Sequence, residues 1–435
     1  MKADDPIERR YVERTPGSAA VGARAEQVMP AGDTRAAGYH SPYPLTLVRG
    51  AGAEVWDVDG NGYWDLAGNY TALVHGHACA PIVEAAVAAI GRGTAWPARN
   101  PGQVELAELL VDRIASVERV RFCNSGTEAG MLASVVARVA TGRPNILMAR
   151  FGYHGSHELF EHGSFDGRLA VPGATATLLA EYGDAASFEA VLAERGDEIA
   201  AVFLEPVMGS GGVVTAPPEF FQRVERAARA VGALFVLDEV ITIRLGVGGA
   251  QAALGVRPDL TMMGKLIGGG FPVGALGGRE DLMAWLDPRR NRIFHSGTFN
   301  GNPVTMAAGA ASVRHLTAER IDAIDRLGAR LEQRLCEAAS AVAVPFSVRR
   351  VGSLLNVYFL DTPPGANLLR QDHRAMRRFH LAGMNHGLYF ASRGMLVVST
   401  AMDDAAIDDI GERAGAAMAD VVAAGEGEQA LVAGS

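Results

Sequence analysis

Short apolar runs separated by amphipathic stretches dominate the middle of the chain. The runs fall at 120–123, 145–149, 201–204, 234–237, 260–263 and 273–276. Apolar positions at helical spacing near 127–141 and 218–231 separate three of them. Unbroken apolar strands alternating with helices predict a mostly parallel sheet covered by helices on both faces. Ligands of such sheets gather beyond the carboxyl ends of the strands. Polar clusters stand there: Asn124-Ser125-Gly126-Thr127, Glu205-Pro206, Asp238-Glu239 and Gly264-Lys265.

The flanks read differently. Residues 1 to about 40 are polar, rich in Arg, Ala and Gly and interrupted by Pro16 and Pro30, which predicts an arm with one helix. Two short strands are expected at 44–50 and 53–62, with turn signals at Asp59-Gly60 and Asn61-Gly62. A helix is expected from Pro81 to Gly91 or Gly93, and another near 103–116 with Ala107, Leu110, Val111 and Ile114 on one face. Beyond the sheet, one long helical stretch at about 303–341 leads to strands at 352–359 and 395–399, a helix near 403–423 and a frayed tail from Gly425. The domain reading is an N-terminal arm with small-domain strands (1–60), a large ligand-binding domain (61–310) and a C-terminal small domain (311–435).

At 435 residues, 49% apolar and 20% charged, the chain has the composition of a globular protein and length for two domains. A net charge of −9 argues against a nucleic-acid or anionic-membrane partner. Cys79, Cys123 and Cys336 are odd in number and far apart, so no disulfide framework is expected. The first residues lack the apolar core of a signal peptide, and no apolar run approaches the ~20 residues of a membrane span. A cytoplasmic protein is the expectation.

Of the 40 Lys and Arg residues only two, Lys2 and Lys265, are lysines. A lysine inside the Gly-flanked segment 259–270 therefore points to a task Arg cannot do: losing a proton and condensing with a carbonyl. Ser125, Gly126 and Thr127 open a helix after a strand, which makes a seat for a phosphate; an ordinary helix cap is the plainer alternative. Tyr153 offers an aromatic ring, or a core tyrosine. Asp238 offers a carboxylate to a protonated ring nitrogen, or a salt bridge to an arginine. Phosphate seat, ring, carboxylate and amine together fit pyridoxal 5′-phosphate. A P-loop reading of Gly264-Lys265 fails, because the spacing is wrong and Leu266 stands where Ser/Thr is required. For His75-Gly76-His77-Ala78-Cys79, a backbone turn near the cofactor is favoured over a metal site.

The chain resembles the class III aminotransferases, pyridoxal-phosphate enzymes of fold type I. The resemblance rests on 124–129, Tyr153-His154-Gly155, Glu205-Pro206, Asp238-Glu239-Val240, 258–270 and 295–303. Within that class it is most similar to the glutamate-1-semialdehyde aminomutase group and its β-amino acid transaminases, the β-phenylalanine type among them. The resemblance implies a mostly parallel central sheet flanked by helices, plus a smaller α/β C-terminal domain. It implies Lys265 as Schiff-base lysine, Asp238 at the pyridine nitrogen, Tyr153 stacked on the ring, and Ser125, Gly126 and Thr127 on the phosphate. Thr298 matches a threonine that reaches the neighbouring subunit's phosphate, implying a homodimer with shared sites. Arg35 and Arg393 match carboxylate-binding positions, and Tyr70 matches an aromatic of the side-chain pocket. The expected reaction moves an amino group from an amino acid, a β-amino acid included, to a keto acid such as 2-oxoglutarate through a Lys265 aldimine. An aminomutase or epimerase using the same chemistry is the alternative.

Overall fold

The computed structural model describes residues 5–160, 177–365 and 373–433. The chain divides into two compact units, one of Met1–Tyr70, Val74–Cys79 and Asp322–Ser435, the other of Thr71–Leu73 and Ala80–Ile321.

The first unit opens with two helices, Pro6–Arg14 and Pro16–Ala25, where the sequence predicts one. The break has a local cause. Thr15 leaves helical geometry, and Pro16 lacks the N–H needed to continue the first helix but suits the first position of the second. Asp5 caps the first helix through the Ile7 N–H (3.0 Å) and pairs with Arg378 (2.8 Å). Then come β1 (Leu47–Ala51), β2 (Glu54–Asp57) and β3 (Gly62–Asp65), an antiparallel meander in place of the two predicted strands. The Asp57 carboxylate makes the turn between β2 and β3 by accepting from Asp59 N–H (3.0 Å) and Asn61 N–H (2.8 Å).

The second unit is built on a seven-stranded sheet. Its strands are β4 (Arg119–Cys123), β5 (Asn145–Ala149), β6 (Thr177–Ala180), β7 (Ile199–Leu204), β10 (Leu234–Asp238), β11 (Leu260–Gly264) and β12 (Gly274–Gly278). Two short strands, β8 (Val207–Met208) and β9 (Val214–Thr215), form a separate hairpin. The order is β4-β12-β11-β10-β7-β5-β6, parallel except that β12 runs against both neighbours. Side-chain alternation splits the core in two. Met148, Phe203, Val236 and Met262 pack on the helix Gly126–Thr141. Leu147, Val202, Phe235 and Leu237 pack on the helices Ala185–Arg195 and Pro218–Ala230. Each buried Leu, Val or Phe contributes roughly 1.5–3 kcal/mol, so both faces are stabilised by coverage. The edge strand β6 and the helix after it escape the sequence pattern, because Thr177-Leu178-Leu179-Ala180 is short and its central positions are only half-buried. Helix Pro101–Arg113 buries Leu106 and Leu110, while Val111, expected on that face, is 38% exposed.

The single helix predicted at 303–341 is two, Pro303–His315 and Ala318–Ala341. Leu316 leaves helical geometry and Thr317 starts the next helix, its hydroxyl accepting from Arg320 N–H (3.4 Å). The first unit then resumes with β13 (Ser347–Val351), β14 (Leu354–Tyr358), β15 (Leu388–Tyr389) and β16 (Met395–Val397). β13-β14-β16 form one antiparallel sheet, and β15 joins β3 in parallel. The last helix spans Asp404–Ala433, through the tail expected to fray. Among the described residues no helix is long and apolar enough to cross a membrane.

Candidate active site

Six polar residues stand at the carboxyl ends of five parallel strands in the second unit: Ser125 after β4, Tyr153 and His154 after β5, Glu205 after β7, Asp238 at the end of β10, and Lys265 after β11. Register brings them into one place. Cys123, Gly274 and Gly264 lie in one row across β4, β12 and β11, and Asp238 pairs with Met262. Ser125 and Lys265 thus leave the same end of the sheet with one strand between them. Glycine is required at 274, because a side chain there would overlap the Ser125 carbonyl. Val240, two residues past Asp238, lies within 3.4 Å of where a Cβ would stand on Gly126 and on Gly264. It joins the helix start to the residue before the lysine.

The helix Gly126–Thr141 begins as its sequence dictates. Ser125 is extended and its hydroxyl caps Glu128 N–H (3.1 Å), while the Glu128 carboxylate reaches back to Asn124 N–H (2.8 Å). The plain cap reading and the phosphate reading are compatible. N–H groups at Gly126 and Thr127 have no acceptor within the helix and carry its positive end. The loop 152–156 folds over this terminus: Ser156 N–H donates to Thr127 Oγ (3.2 Å). Gly155 (φ 111°) comes so near that a Cβ on it would stand 2.6 Å from Thr127 Cα. Lys265, half-buried, is itself left-handed (φ 52°). Such strain in a non-glycine residue persists only where the surroundings fix it.

Asp238 is 5% exposed. Among the described residues the carboxylate pairs with no arginine; one oxygen accepts from Val240 N–H (3.0 Å) and the other meets His154 Nδ1 at 2.9 Å. His154 is 2% exposed and packed against Phe160 and Phe203. Among the described residues its Nε2 has no hydrogen-bond partner, so the proton belongs on Nδ1, facing Asp238. Glu205, 6% exposed, accepts from Tyr153 N–H (2.8 Å). Burial pushes its carboxyl up to about 7, with the Asp238 charge adding and His154 opposing. The Tyr153 ring is 40% exposed, its hydroxyl 3.3 Å from Ser156 Oγ. Sequence reasoning gave neither His154 nor Glu205 a role. The signal was present, since both stand in the same strand-end clusters as Tyr153 and Asp238. Thr298 is exposed, in a loop with Phe294 (95% exposed) and Phe299 (61%). Nothing within the described chain gathers it with the residues above.

Arg35, Tyr70 and Arg393 belong to the first unit and form a second group there. Arg35 Nη1 donates to Asn69 Oδ1 (2.7 Å). Burial raises the Tyr70 phenol, with the charges of Arg393 and Arg35 opposing. Arg393 also reaches the Met395 sulfur. Asn69 and Tyr70 lie in a left-handed turn, Gly68–Thr71, with φ of 51°, 47°, 55° and 78° in succession. Left-handed geometry costs roughly 1–2 kcal/mol for each non-glycine residue. His77 meets Asp65 (2.7 Å) and His75 meets Thr400 (3.1 Å). Among the described residues no three His, Cys, Asp or Glu side chains gather as a metal site.

A family profile described as class-III aminotransferase matches residues 35–160 and 171–413. The chain belongs to that family. A β-phenylalanine transaminase of Variovorax paradoxus is 38% identical over 403 residues, 92% of each chain. A glutamate-1-semialdehyde 2,1-aminomutase of Anaeromyxobacter sp. (strain Fw109-5) is 41% identical over 331 residues, 74% of this chain and 77% of the relative. The crystal structure of an omega-transaminase from Sphaerobacter thermophilus superposes with a TM-score of 0.90 at 37% identity, covering 94% of this chain and 99% of the other. The family is one of pyridoxal 5′-phosphate enzymes. The second unit's donor set fits that cofactor: an amine for the aldehyde, a buried oriented carboxylate for the pyridine nitrogen, and a helix start for the phosphate.

Proposed function

We propose that the protein takes the amino group of an amino acid, β-amino acids included, and passes it to a keto acid such as 2-oxoglutarate. The observation that carries this reading is the convergence of Lys265, Asp238 and the Ser125–Thr127 helix start at one end of one sheet. When bound, the cofactor supplies an electron sink for the carbon that bears the amino group. Lys265 holds the cofactor aldehyde and afterwards moves a proton at the substrate carbon as general acid and base. Asp238, oriented by His154 Nδ1–H and Val240 N–H, keeps the pyridine nitrogen protonated. Ser125, Gly126 and Thr127 hold the phosphate, and the Tyr153 ring covers the cofactor face. Arg35 and Arg393 bind substrate carboxylates with planar, bidentate donors, and Tyr70 lines the side-chain pocket.

Two features support a homodimer in which Thr298 reaches the neighbouring subunit's phosphate. Val83, Val87 and Ile90 form an exposed apolar stripe on the helix Ala80–Ile90, and Met131, Val135 and Val139 form another on Gly126–Thr141. Phe294 and Phe299 flank Thr298 and are open as well. Partner burial is the common fate of such area. That Cys79, Cys123 and Cys336 form no disulfide accords with a cytoplasmic setting.

The test is to add amines one at a time to the holoenzyme and follow the cofactor absorbance, then to add a keto acid. Bleaching by a donor and recovery only with the keto acid is expected. Continued turnover of a single amino compound without keto acid would instead identify an isomerase, the activity carried by the aminomutase relatives.

A further inference from the structure

We propose that Asp65 and His77 are positioning residues for the substrate-carboxylate pocket: their pair locks the left-handed turn Gly68–Thr71, which presents Asn69 to Arg35 and holds Tyr70 against the arm that carries Arg35. The proposal rests on the reading of Arg35 and Arg393 as carboxylate binders. It starts from a backbone that does not hold itself. Three consecutive non-glycine residues, Asn69, Tyr70 and Thr71, follow Gly68 into the left-handed region. A chain of L-residues leaves that geometry unless something outside the turn fixes it.

Asp65 is that restraint. It ends β3, is 6% exposed, and uses Oδ1 to accept from both Ala67 N–H and Gly68 N–H, each at 2.9 Å. Those two amides are the entry to the turn. Its other oxygen meets His77 Nε2 at 2.7 Å. His77 is held in turn: its N–H and C=O pair with Gly52 (2.7 and 2.9 Å), and its ring lies against Gly50, where any side chain would collide with it. The Asp65 backbone is tied to Ala53 O (2.8 Å), and Leu66 N–H to Tyr389 O (2.7 Å). The clamp is therefore anchored to the β1-β2-β3-β15 sheet and the turn hangs from it.

What the turn delivers is charge placement. Arg35 sits on an exposed arm whose local support is Asp33 Oδ1, which accepts from Arg35 N–H (3.1 Å). Asn69 Oδ1 fixes the guanidinium end at 2.7 Å. The Tyr70 hydroxyl stands 3.5 Å from where a Cβ on Gly38 would be, so Tyr70 rests on the same arm. If the turn relaxes, Asn69 leaves Arg35 and Tyr70 leaves the arm. Substrates that carry a carboxylate lose both their anchor and the Tyr70 wall of the side-chain pocket; substrates without one lose only the wall.

β-Phenylalanine and 1-phenylethylamine differ only by that carboxylate, so the two isolate the effect. The donor half-reaction of the holoenzyme is followed by cofactor absorbance for the wild type, Asp65→Asn, His77→Gln and Asn69→Ala. For Asp65→Asn the half-saturating concentration of β-phenylalanine rises about tenfold or more, and that of 1-phenylethylamine by a factor about threefold smaller. His77→Gln shifts the same way by about threefold, since Asp65 keeps its two backbone bonds. Asn69→Ala leaves the clamp intact and reproduces the selective loss, which decides the matter even if Asp65→Asn does not fold. Equal losses for both amines, or none in variants that melt like the wild type, overturn the proposal. If the wild type uses neither amine, it is the transaminase reading that fails. Calorimetry with glutarate, a non-reacting dicarboxylate, then decides: weaker binding by folded Asp65→Asn and Asn69→Ala supports the clamp, and unchanged binding refutes it.

Discussion

The two clusters of functional side chains are held by opposite means. The cofactor group in the second unit stands on strand ends and one helix start, and its carboxylates are nearly closed to solvent: Asp238 is 5% exposed and Glu205 6%. Asp238 is fixed by Val240 N–H and His154, and Glu205 holds the Tyr153 N–H. The carboxylate group in the first unit stands on an arm, a strained turn and the residues after β15, with Arg35 exposed. Strand ends give the precision that bond-making demands, and loops give the variation that substrate choice demands. The cost of the second arrangement is that it needs a dedicated restraint, for which Asp65 is well placed.

The sharpest break in that comparison is Lys265→Ala. It removes the amine on which the cofactor group depends, and kcat for nitrogen transfer falls by about 10⁴-fold or more. Turnover near the wild-type rate would end the mechanistic reading. Asp238→Asn comes next: it keeps the shape and the Val240 bond but loses the charge, so the rate falls by roughly 10²-fold with cofactor still bound. Full activity there would show that the pyridine nitrogen has another partner.

Arg393→Ala belongs to the other cluster and has a different signature. KM for a dicarboxylic acceptor rises about tenfold, while an apolar amine donor is hardly affected. A loss shared equally between the two would dissolve the distinction between chemistry and recognition. The smallest effect concerns pH and stability. Glu205 has a carboxyl raised to about 7 from the ordinary 4.5, so between these values the folded state binds the proton that the unfolded chain has released. Stability contributed by neutral Glu205 is complete below about 4.5 and is lost as pH rises through about 7. Glu205→Gln should flatten that part of the melting-temperature profile. An unchanged slope would place the proton elsewhere in the Asp238–His154–Glu205 group.

Much of the cofactor group was legible because its members lie at the ends of apolar runs, where the order of the chain is also the order of the site. Lys265 stood out against a background of arginine. The partners of Asp238 were less legible: a buried carboxylate asks for a donor, but arginine was an equally sound guess until the fold brought β5 and β10 to the same layer and supplied His154. Elements set by one residue also escaped notice. Pro16 divides one predicted helix into two, and Thr317 divides another. The turn at Gly68–Thr71 was hidden, because Tyr70 and Thr71 have no local preference for left-handed geometry, and Asn69, which tolerates it, does so ordinarily as a single residue.

The amino-acid sequence by itself determined the alternation of strands and helices, the two-faced core and the chemical types available at the strand ends. All of these follow from periodicity and from what each side chain can donate or accept. Tertiary structure alone decided which carboxylate meets which imidazole, and that a backbone turn of the wrong hand is kept in place by an aspartate and a histidine from outside it. The imidazole that meets Asp238 is 84 residues away in the chain and the histidine that meets Asp65 is 12 away, and local pattern carries no information about such pairings.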